Sequence, residues 1–532
     1  MRADGTAANL AAATDGDPAV ASECLSVSGH NSYAGGASPG DTFELSDQGG
    51  VFRGVQLVTQ ASGSSGGGDI TYKNVTGESP EINGANLVTG WTVYSGSVYQ
   101  ASVTTEPYAV WIDGSFGDKK TSTGACVNAL DWYWASSVLY LYAPGDPDTE
   151  YTSPGVEAAA IEFLFEIYDS SYITLDGLKV TKANGCCIRT QLDPSYITIK
   201  NCTASWGWAN GIKVYNYTGG SYSNIVVEDC IAEYCGGEGI NFTLNAIDCT
   251  IRRNIARYNC FRTDYGSDAG IKVFGFGATQ EYGIGYLIES NESYGNGAGI
   301  DGPDQGLGIW MDWITGTAES PNVCRYNYVH DNESHGIMVE KNDYAQVYGN
   351  LCVDNASIDW CGNFNIKSNE SSEQENSFIY NNTSIGGYFG IIMAGHNAGD
   401  YFDNNSLKNN IAISATYANI HLQDGADNGA YGDGNTYDAN CFGDEATEGI
   451  RLACHDYTRY STYDTFEAAV GFSLGCVEAD PSFSDADNDD FTLASDSPCI
   501  GAGVNLGATY ADILLPASTW PDGVVTGDQD NY

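Results

Sequence analysis

Two carboxylates and a lysine stand at the same place in three similar five-residue segments. Asp312, Glu340 and Lys367 end the segments GIWMD, GIMVE and NFNIK, and Trp310 lies two residues before Asp312. When two carboxyl groups lie close together, one pKa is raised, which gives one acid and one base or nucleophile. The flat indole of Trp310 suits the apolar face of a pyranose ring. We therefore predict that Asp312, Glu340 and Lys367 are catalytic and cleave a sugar polymer, although an ion pair between Glu340 and Lys367 on an exposed sheet would use the same residues.

Further polar side chains recur in the middle of the same kind of segment. We predict that they bind substrate together with Trp310, and they are Lys213, Lys272, Asn365 and His421. His330 and His335 lie in the loop before Glu340 and are candidates for hydrogen bonds to substrate, although histidines in turns commonly have only a structural role.

Acidic, glycine-rich insertions suggest a cation site. Asp301 and Asp304 lie in one insertion, and Asp264 and Asp268 lie in another. Carboxylate oxygens are the ligands that Ca²⁺ prefers, and the same residues could instead complete an acid–base set. Acidic loops are more often merely solvated, so Ca²⁺ at Asp301 and Asp304 is a hypothesis and no cofactor is required.

The segments themselves recur along the chain and read as short strands. A period of two places their second and fourth residues inside, while the first, third and fifth point outward. The segments that share this pattern are 211–215, 239–243, 270–274, 308–312, 336–340, 363–367, 390–394, 419–423 and 449–453. Adjacent strands lie about 4.8 Å apart, so Asp312, Glu340 and Lys367 should stand on consecutive rungs of one face. That spacing is close to the roughly 5–5.5 Å between the carboxyl groups of a retaining glycosidase.

A second alternating run, which ends in Asn or Asp, appears in most of these repeats. The terminal Asn or Asp occurs at positions 201, 229, 254, 291, 327, 350, 382 and 410. A residue that recurs once per coil at a tight bend forms a ladder, because its side chain bonds the backbone of the neighbouring coil. The intervals predict stacked coils of roughly 23–37 residues.

Residues 155–455 resemble the right-handed parallel β-helix, or pectate-lyase-like, superfamily. The stretch GIWMD…YVHDNESHGIMVE (308–340) is similar to a phrase common in secreted β-helix proteins related to glycoside hydrolases and lyases. Residues 79–103 and 110–114 resemble the β-rich region that precedes such solenoids, and residues 480–503 resemble their C-terminal tail. The resemblance implies an all-β fold, a single right-handed parallel β-helix solenoid with a β-rich N-terminal cap and a C-terminal cap. The superfamily includes hydrolases, lyases, epimerases and adhesins, so it does not determine the reaction.

Four regions follow from this pattern. We predict a leader segment at 1–25, a capping β region at 26–154, the solenoid at 155–455 and a C-terminal cap at 456–532, with one helix at 463–472. No signal peptide is visible, which suggests a mature form with an added Met or a segment of a longer chain.

Composition limits the partners. The chain has 21 basic and 69 acidic residues, a net charge of −48, which disfavours nucleic acid and anionic membranes. No apolar run is long enough to span a membrane. Sixteen cysteines favour some disulfides, with Cys476–Cys499 as the candidate pair, whereas Cys202, Cys230 and Cys352 fit the coil interior. We expect an extracellular or cell-surface protein.

Three function classes remain. The favoured one is an extracellular polysaccharide-active glycoside hydrolase that uses Asp312 and Glu340. The second is a non-catalytic surface or filament-forming β-helix that associates with itself. The third is a polysaccharide lyase, in which a cation neutralises a uronate and a lysine removes its C5 proton. Lys213, Lys272, Lys367 and Arg451 would then form a basic stripe on one face, but Ala394 stands where some alginate- and chondroitin-type lyases of the superfamily have an arginine.

Overall fold

The computed structural model gives two compact units, Met1–Val214 and Tyr215–Tyr532. The residues that it describes are 1–6, 24–32, 36–216, 218, 220–264, 266–275, 283–298, 305–356, 359–368, 374–395, 402–423, 434–455, 457–488, 490–507 and 510. Regular structure in both units is mainly parallel β-strand.

The second unit is a stack of coils in which each coil adds one strand to each of three parallel sheets. The strands of the first sheet are Tyr222–Glu228, Thr250–Arg252, Leu287–Glu289, Asn322–Arg325, Ala345–Tyr348, Phe378–Tyr380, Ser406–Lys408 and Thr436–Asp438, with Ala246–Ile247 beside the first of them. The strands of the second sheet are Ile231–Glu233, Ile255–Arg257, Glu292–Tyr294, Tyr328–His330, Leu351–Val353, Thr383–Ile385 and Ile411–Ile413.

The third sheet, here called the site sheet, carries the segments that the sequence aligned. Its parallel strands are Ile240–Thr243, Ala269–Phe274, Leu307–Asp312, Ile337–Glu340, Gly362–Ser368, Phe389–Gly395, Ala418–Gln423 and Ala453–His455, and Thr458–Tyr460 adds an antiparallel strand. The second and fourth residues of the segments are fully buried, as in Ile309, Met311, Ile337 and Val339. Removal of these side chains from water stabilises each coil against its neighbours.

A ladder of buried asparagines follows the first sheet. Asn291 accepts hydrogen bonds of 3.0 Å from the backbone N–H and the side-chain amide of Asn254, and its own amide donates to Asn327 at 3.0 Å and to the Ile251 carbonyl at 2.9 Å. Successive ladder positions from Cys230 onward are separated by 24, 37, 36, 23, 32, 28 and 30 residues. The predicted coil length of 23–37 residues is therefore confirmed.

The first two rungs of the predicted ladder are wrong by one residue. Glu228 pairs with Arg252, so Cys230, not Asp229, stands beside Asn254, and the Cys230 N–H donates to the Asn254 side chain at 2.9 Å. Asn201 and Asp229 are exposed and have φ angles of 54°. Asn and Asp favour both the left-handed bend and the ladder, and these two positions are adjacent in the chain, so residue type alone does not separate them.

A second asparagine ladder, which the sequence reading missed, follows the second sheet. Asn296 accepts from the backbone N–H of Asn259 at 3.0 Å, and its amide donates to Asn332 at 2.8 Å. The ladder continues from Asn332 to Asn355 at 2.7 Å. The two ladders therefore hydrogen-bond successive coils to each other at two separate bends of the chain.

The first unit also contains parallel coils. Its three groups of parallel strands are Thr42–Leu45, Ile70–Asn74, Ile173–Asp176 and Ser195–Lys200; Phe52–Arg53, Glu81–Asn83, Lys179–Thr181 and Thr203–Ser205; and Leu57–Val58, Phe163–Tyr168, Cys186–Gln191 and Ile212–Tyr215. Parallel coils therefore begin at Thr42, upstream of residue 155, where the sequence reading placed the start of the solenoid.

An insertion follows the first coils of this unit, and its strands pair mainly in antiparallel fashion, although Asp118–Lys119 lies parallel to Asp131–Ala135. Its strands are Ala85–Val88, Thr92–Ser95, Val98–Ser102, Val110–Ile112, Ser115–Phe116, Asp118–Lys119, Asp131–Ala135, Val138–Tyr142 and Val156–Ala159. A core that includes Trp91, Trp132 and Leu139 joins them. The described residues of the unit include helices at Val27–Asn31 and Pro147–Glu150, with 3₁₀ turns at Asp47–Gly49 and Thr123–Ala125.

The C-terminal part of the second unit confirms one prediction and corrects another. Helices span Glu445–Glu448 and Tyr463–Val470, with 3₁₀ turns at Gly449–Arg451 and Ala486–Asn488 and a hairpin of Phe483–Asp485 with Asp490–Leu493. The helix predicted at 463–472 is thus confirmed. The strand predicted at 449–453 is wrong, because His421 pairs with Cys454 and Arg451 lies in the 3₁₀ turn.

The cysteines are mainly packing residues. Cys202, Cys230 and Cys352 are buried, as predicted. The Cys476–Cys499 disulfide is wrong, because both residues are free thiols, and Cys499 instead packs in a buried cluster with Ile411 and Cys441.

Candidate active site

The outward columns of the site sheet hold the residues that the sequence singled out. Lys272 pairs with Trp310, Trp310 with Met338, and Met338 with Asn365. The column two residues further along runs through Asp312, Glu340 and Lys367. The predicted alignment of these residues on consecutive strands is confirmed.

The segments 308–312 and 336–340 begin with glycine because neighbouring coils approach closely at these positions. A Cβ on Gly308 would lie 2.7 Å from the Gly336 carbonyl oxygen, and a Cβ on Gly336 would lie 2.5 Å from the Asn363 carbonyl oxygen. Backbone cannot give way as a flexible side chain can, so these positions require glycine and thereby fix the register of the columns.

The charged column is buried, not spread over an exposed sheet. Asp312 and Glu340 are each 4% exposed, and Lys272 and Lys367 are 5% and 8% exposed. Trp310 packs with Ala269, Leu307 and Met338 on the same face. Electrostatic effects are much stronger at such positions than at a solvated surface.

Each lysine of this face pairs with one carboxylate. Lys272 Nζ lies 3.0 Å from Asp312 Oδ2, 3.6 Å from the centre of the Trp310 ring, and donates to the Ser267 carbonyl at 2.8 Å. Lys367 Nζ lies 3.6 Å from Glu340 Oε1. The ion pair between Glu340 and Lys367 therefore exists, but the face also contains a second, tighter pair that the sequence reading did not identify.

Asp312 holds its proton to higher pH than an ordinary aspartate. Burial raises its pKa to about 6, Lys272 and Lys367 oppose this rise, and the neighbouring charge of Glu340 adds to it. Asp312 Oδ1 and Trp310 Nε1 are buried, and neither has a hydrogen-bond partner in the described part of the chain. Buried polar atoms are usually satisfied, so both are suited to contact a ligand.

His335 and Asn365 extend this polar group. The Gly362 N–H donates to His335 Nδ1 at 2.9 Å, so a neutral His335 carries its proton on Nε2. That nitrogen lies 3.1 Å from the Asn365 amide nitrogen, while Asn365 Oδ1 is buried without a partner among the described residues. Turning the amide by 180° lets Nε2–H donate to Asn365 Oδ1 and resolves both conflicts.

Asp268 and Glu238 form an acidic group beside Lys272. Asp268 is fully buried, and burial, followed by the charge of Glu238, raises its pKa to about 7. The Gly306 N–H donates to its Oδ1 at 3.2 Å. The sequence reading named Asp268 only as an alternative ligand or acid and missed Glu238, which accepts from Asn241 at 3.2 Å. Both acids stand just before a strand of the site sheet, and this shared position in the repeat could have identified them from the sequence.

Comparison with known proteins identifies the fold. A family model described as the right handed beta helix region matches residues 162–284. The solved structure of XylC in complex with xylose aligns with a TM-score of 0.54 at 15% identity and covers 71% of each chain. The fold is the right-handed parallel β-helix.

Other solved β-helix structures align less closely. A glycoside hydrolase matches with a TM-score of 0.46 at 11% identity, covering 78% of this chain and 89% of its own. The pectate lyase Pel9A matches with a TM-score of 0.43 at 13% identity, covering 96% and 94%. No curated protein matches the sequence.

The β-helix does not bring all the predicted residues together. His330 lies on the second sheet, where its ring stacks on Tyr294 at 4.7 Å and its Nε2 lies 3.3 Å from Glu292. The loop predicted at His330 is therefore wrong, because His330 ends the strand Tyr328–His330, and its role in substrate binding stays a prediction. Lys213 lies in the first unit, beside Arg189.

His421 is on the site sheet, in the column of Asn365 and Ile392. Its ring packs at 4.6 Å from Phe389 and 5.1 Å from Tyr457. It therefore belongs to an aromatic region and not to the charged group.

The predicted metal ligands Asp301 and Asp304 lie outside the described residues. In the part of the chain that the structure describes, no group of three or more His, Cys, Asp or Glu side chains could hold a metal ion. Helices long and apolar enough to cross a membrane are also absent from that part.

Proposed function

We propose that this protein is an extracellular glycoside hydrolase that cleaves a polysaccharide between Asp312 and Glu340. The observation that carries the proposal is the pairing of these two carboxylates on neighbouring strands, in a buried site where one of them has a pKa of about 6. A glycosidase needs one protonated and one ionised carboxyl group. The buried indole N–H of Trp310, which has no hydrogen-bond partner among the described residues, lies on the same face.

Asp312 is the acid and Glu340 the nucleophile. Glu340 attacks the anomeric carbon while the glycosidic C–O bond breaks, and the leaving oxygen takes the bonding electrons and the Asp312 proton. Lys367 Nζ lies 3.6 Å from Glu340 Oε1 and so forms an ion pair with the proposed nucleophile. In the second step, the water oxygen attacks the anomeric carbon while Asp312 takes a proton from that water. The bond to Glu340 breaks, and Glu340 leaves as the carboxylate.

The strand spacing favours retention of configuration. Parallel strands lie about 4.8 Å apart, and retaining enzymes hold their carboxyl groups roughly 5–5.5 Å apart, whereas inverting enzymes need roughly 6.5–9.5 Å. Product released by the wild-type protein should therefore first appear with the anomeric configuration of the substrate, which proton NMR of the early products measures.

The lysine contacts argue against the lyase alternative. A lysine that removes a proton must reach the substrate, whereas Lys272 is held in an ion pair with Asp312 at 3.0 Å and lies 3.6 Å from the centre of the Trp310 ring. The basic stripe is also shorter than the sequence suggested, because Arg451 is not on the site sheet.

The decisive experiment measures new reducing ends and, in parallel, ultraviolet absorbance of unsaturated products. Neutral and acidic polysaccharides are tested with and without Ca²⁺, using the wild type, Asp312→Asn and Glu340→Gln. Glu289→Gln is the matched control, since Glu289 pairs with Arg325 at 2.7 Å across neighbouring strands of another sheet.

Loss of reducing ends in both site variants, but not in the control, supports the hydrolase. Absorbance of an unsaturated product would instead indicate the lyase. A wild type that acts on no polysaccharide of a broad panel would favour the non-catalytic surface or filament protein.

A further inference from the structure

Four aromatic rings cluster near the N-terminal ends of the later strands of the site sheet, while the carboxylates lie at the C-terminal ends of their strands. We call this cluster the aromatic platform, and it consists of Trp360, Tyr388, Tyr417 and Tyr457. The Trp360 ring centre lies 6.1 Å from Tyr388, 6.2 Å from Tyr417 and 4.9 Å from Tyr457. Trp360 and Tyr457 are nevertheless 53% and 44% exposed.

Contacts with one another and with Arg459 hold the rings of the platform in place. Tyr388 and Tyr417 precede neighbouring strands and stack at 5.1 Å with an angle of 19° between their planes. The Tyr417 hydroxyl donates to the Tyr457 carbonyl at 3.1 Å, and the Arg459 guanidinium lies 4.8 Å from the Tyr417 ring centre. The platform is therefore a preformed surface that needs little ordering when a ligand binds.

Trp360 presents its indole to solvent although three tyrosine rings lie against it. Its φ angle of 75° is in the left-handed region, which Trp206 and Trp313 of this chain also adopt. An indole that is 53% exposed contributes little to stability by burial. An exposed cluster of aromatic rings is typical of a binding surface.

Among the described residues, Asp359 and Arg459 are the charged groups that act on Tyr388 of the platform. Burial raises the pKa of Tyr388, the nearby Asp359 adds to the rise, and Arg459 opposes it, so one charge of each sign lies close to the hydroxyl. On the carboxylate side of the same sheet, Lys272 and Lys367 each face a carboxylate. Together with a net chain charge of −48, this disfavours a polyanionic glycan.

The platform and the carboxylates are continuous along one strand. Trp360 stands two residues before the strand Gly362–Ser368, which carries Asn365 and Lys367. At about 3.3 Å per residue, the platform lies about 20 Å from Lys367. A chain of several sugar rings can cover that distance, but a disaccharide cannot.

We propose that the aromatic platform is a second carbohydrate subsite, which stacks on sugar rings of a neutral polysaccharide whose chain continues toward Asp312 and Glu340. Only the direction of the chain rests on the proposed hydrolase function. Carbohydrate binding at the platform stands independently, since it requires no reaction.

The test measures binding without turnover. Native gel electrophoresis is run through xylan, mannan, β-glucan, polygalacturonate and alginate, with Asp312→Asn as the parent protein. Trp360→Ala and Tyr457→Ala remove platform rings, and Trp360→Phe keeps an aromatic face. Tyr258→Ala is the matched control, because Tyr258 is 41% exposed and stacks on Tyr234 at 5.3 Å, outside the site sheet.

Retardation of the parent by at least one neutral polysaccharide is expected, with a dissociation constant about tenfold higher in Trp360→Ala. Such a change corresponds to about 1.4 kcal/mol. Trp360→Phe should retain most of the affinity, and Tyr258→Ala all of it. Equal retardation of Trp360→Ala and Tyr258→Ala, no retardation by any neutral polysaccharide, or stronger retardation by the polyuronates would overturn the proposal.

The outcome separates this proposal from the hydrolase function. If binding depends on Trp360 but no polysaccharide is cleaved by the wild type, the platform proposal holds and the hydrolase proposal fails. If the wild type cleaves a polysaccharide and Asp312→Asn does not, but Trp360→Ala binds as tightly as its parent, the hydrolase proposal holds and the platform proposal fails. Thermal unfolding of each variant confirms that it is folded, and Tyr457→Ala replaces Trp360→Ala if the latter is not.

Discussion

Lys272 places its ammonium group 3.0 Å from the Asp312 carboxylate of the next strand. The contact is buried, and it opposes the effect of burial on the Asp312 pKa, which is nonetheless raised to about 6. Lys272 therefore helps to set the pH at which Asp312 loses its proton. The pH dependence of stability and of activity should both report on this pair.

Lys272→Met should destabilise the protein more at pH 8 than at pH 5. At pH 8 the variant keeps a buried carboxylate without its cation, and breaking a buried pair in this way costs roughly 3–5 kcal/mol. At pH 5 a proton neutralises Asp312, so most of this cost disappears. The unfolding midpoint of wild type and variant at the two pH values measures the difference.

The control for this prediction is Lys200→Met. Lys200 lies 3.5 Å from Asp176, but both side chains are about one third exposed. Exposed pairs contribute about 0–1 kcal/mol, so a small change at both pH values is expected. An equal loss for Lys272→Met at pH 5 and pH 8 would contradict a charge-based role for this lysine.

The activity of the wild type should fall as the pH rises through about 6. The general acid must be protonated, and Asp312 is the carboxyl whose pKa is raised to about 6. The descending limb of kcat/KM against pH measures this, and in Lys272→Met it should move to higher pH because the opposing cation is lost. A limb that stays in place in Lys272→Met would argue that another group is the acid.

Asp268→Asn should make stability less sensitive to pH. Burial raises the pKa of Asp268 in the folded protein to about 7, well above the usual 3.8 of an aspartate, so the folded protein binds an extra proton between these values. The associated stability is present below about pH 4 and is lost as the pH rises through about 7. Relative to wild type, Asp268→Asn should therefore gain thermal stability between pH 4 and pH 8.

Asp264→Asn provides the comparison for Asp268. Its side chain is 70% exposed and pairs with Arg262 at 2.9 Å. This variant should follow the wild-type pH profile. If the thermal stability of Asp268→Asn varied with pH in parallel with the wild type, the Asp268 proton would not contribute to folding.

Asn291→Ala should destabilise the coil stack by roughly 2–5 kcal/mol. It removes the acceptor for two donors of Asn254 and the donor to the Ile251 carbonyl, and each buried polar group left unsatisfied costs about 1–3 kcal/mol. Denaturant unfolding measures the loss. The exposed Asn128→Ala should change stability by less than about 0.5 kcal/mol, and similar losses in both variants would exclude a special contribution from the ladder.

The sequence was sufficient to align the columns of the candidate site. The period of two and the recurring glycines fix which side chains face inward, because a slip of one residue would turn the polar set into the apolar interior of the coils. Asp312, Glu340 and Lys367 therefore came out on consecutive strands as predicted. The coil lengths followed from the same repeat.

The alignment failed where residue type alone could not fix the register. Arg451 was placed three residues from the true partner of His421, because the 3₁₀ turn Gly449–Arg451 interrupts the pattern. At 201 and 229 the bend and ladder positions are adjacent, and only strand pairing distinguishes them.

The sequence by itself determined the repeat, the all-β fold and the column of acidic and basic residues, because these follow from local periodicity. Tertiary structure alone decided that the column is buried, that Lys272 pairs with Asp312, and that Glu238 approaches Asp268 across a coil. These properties depend on contacts between residues about 30–40 positions apart, as one coil of this protein spans up to 37 residues. Burial then sets the pKa of Asp312, so the tertiary structure determined which carboxyl group can serve as the acid.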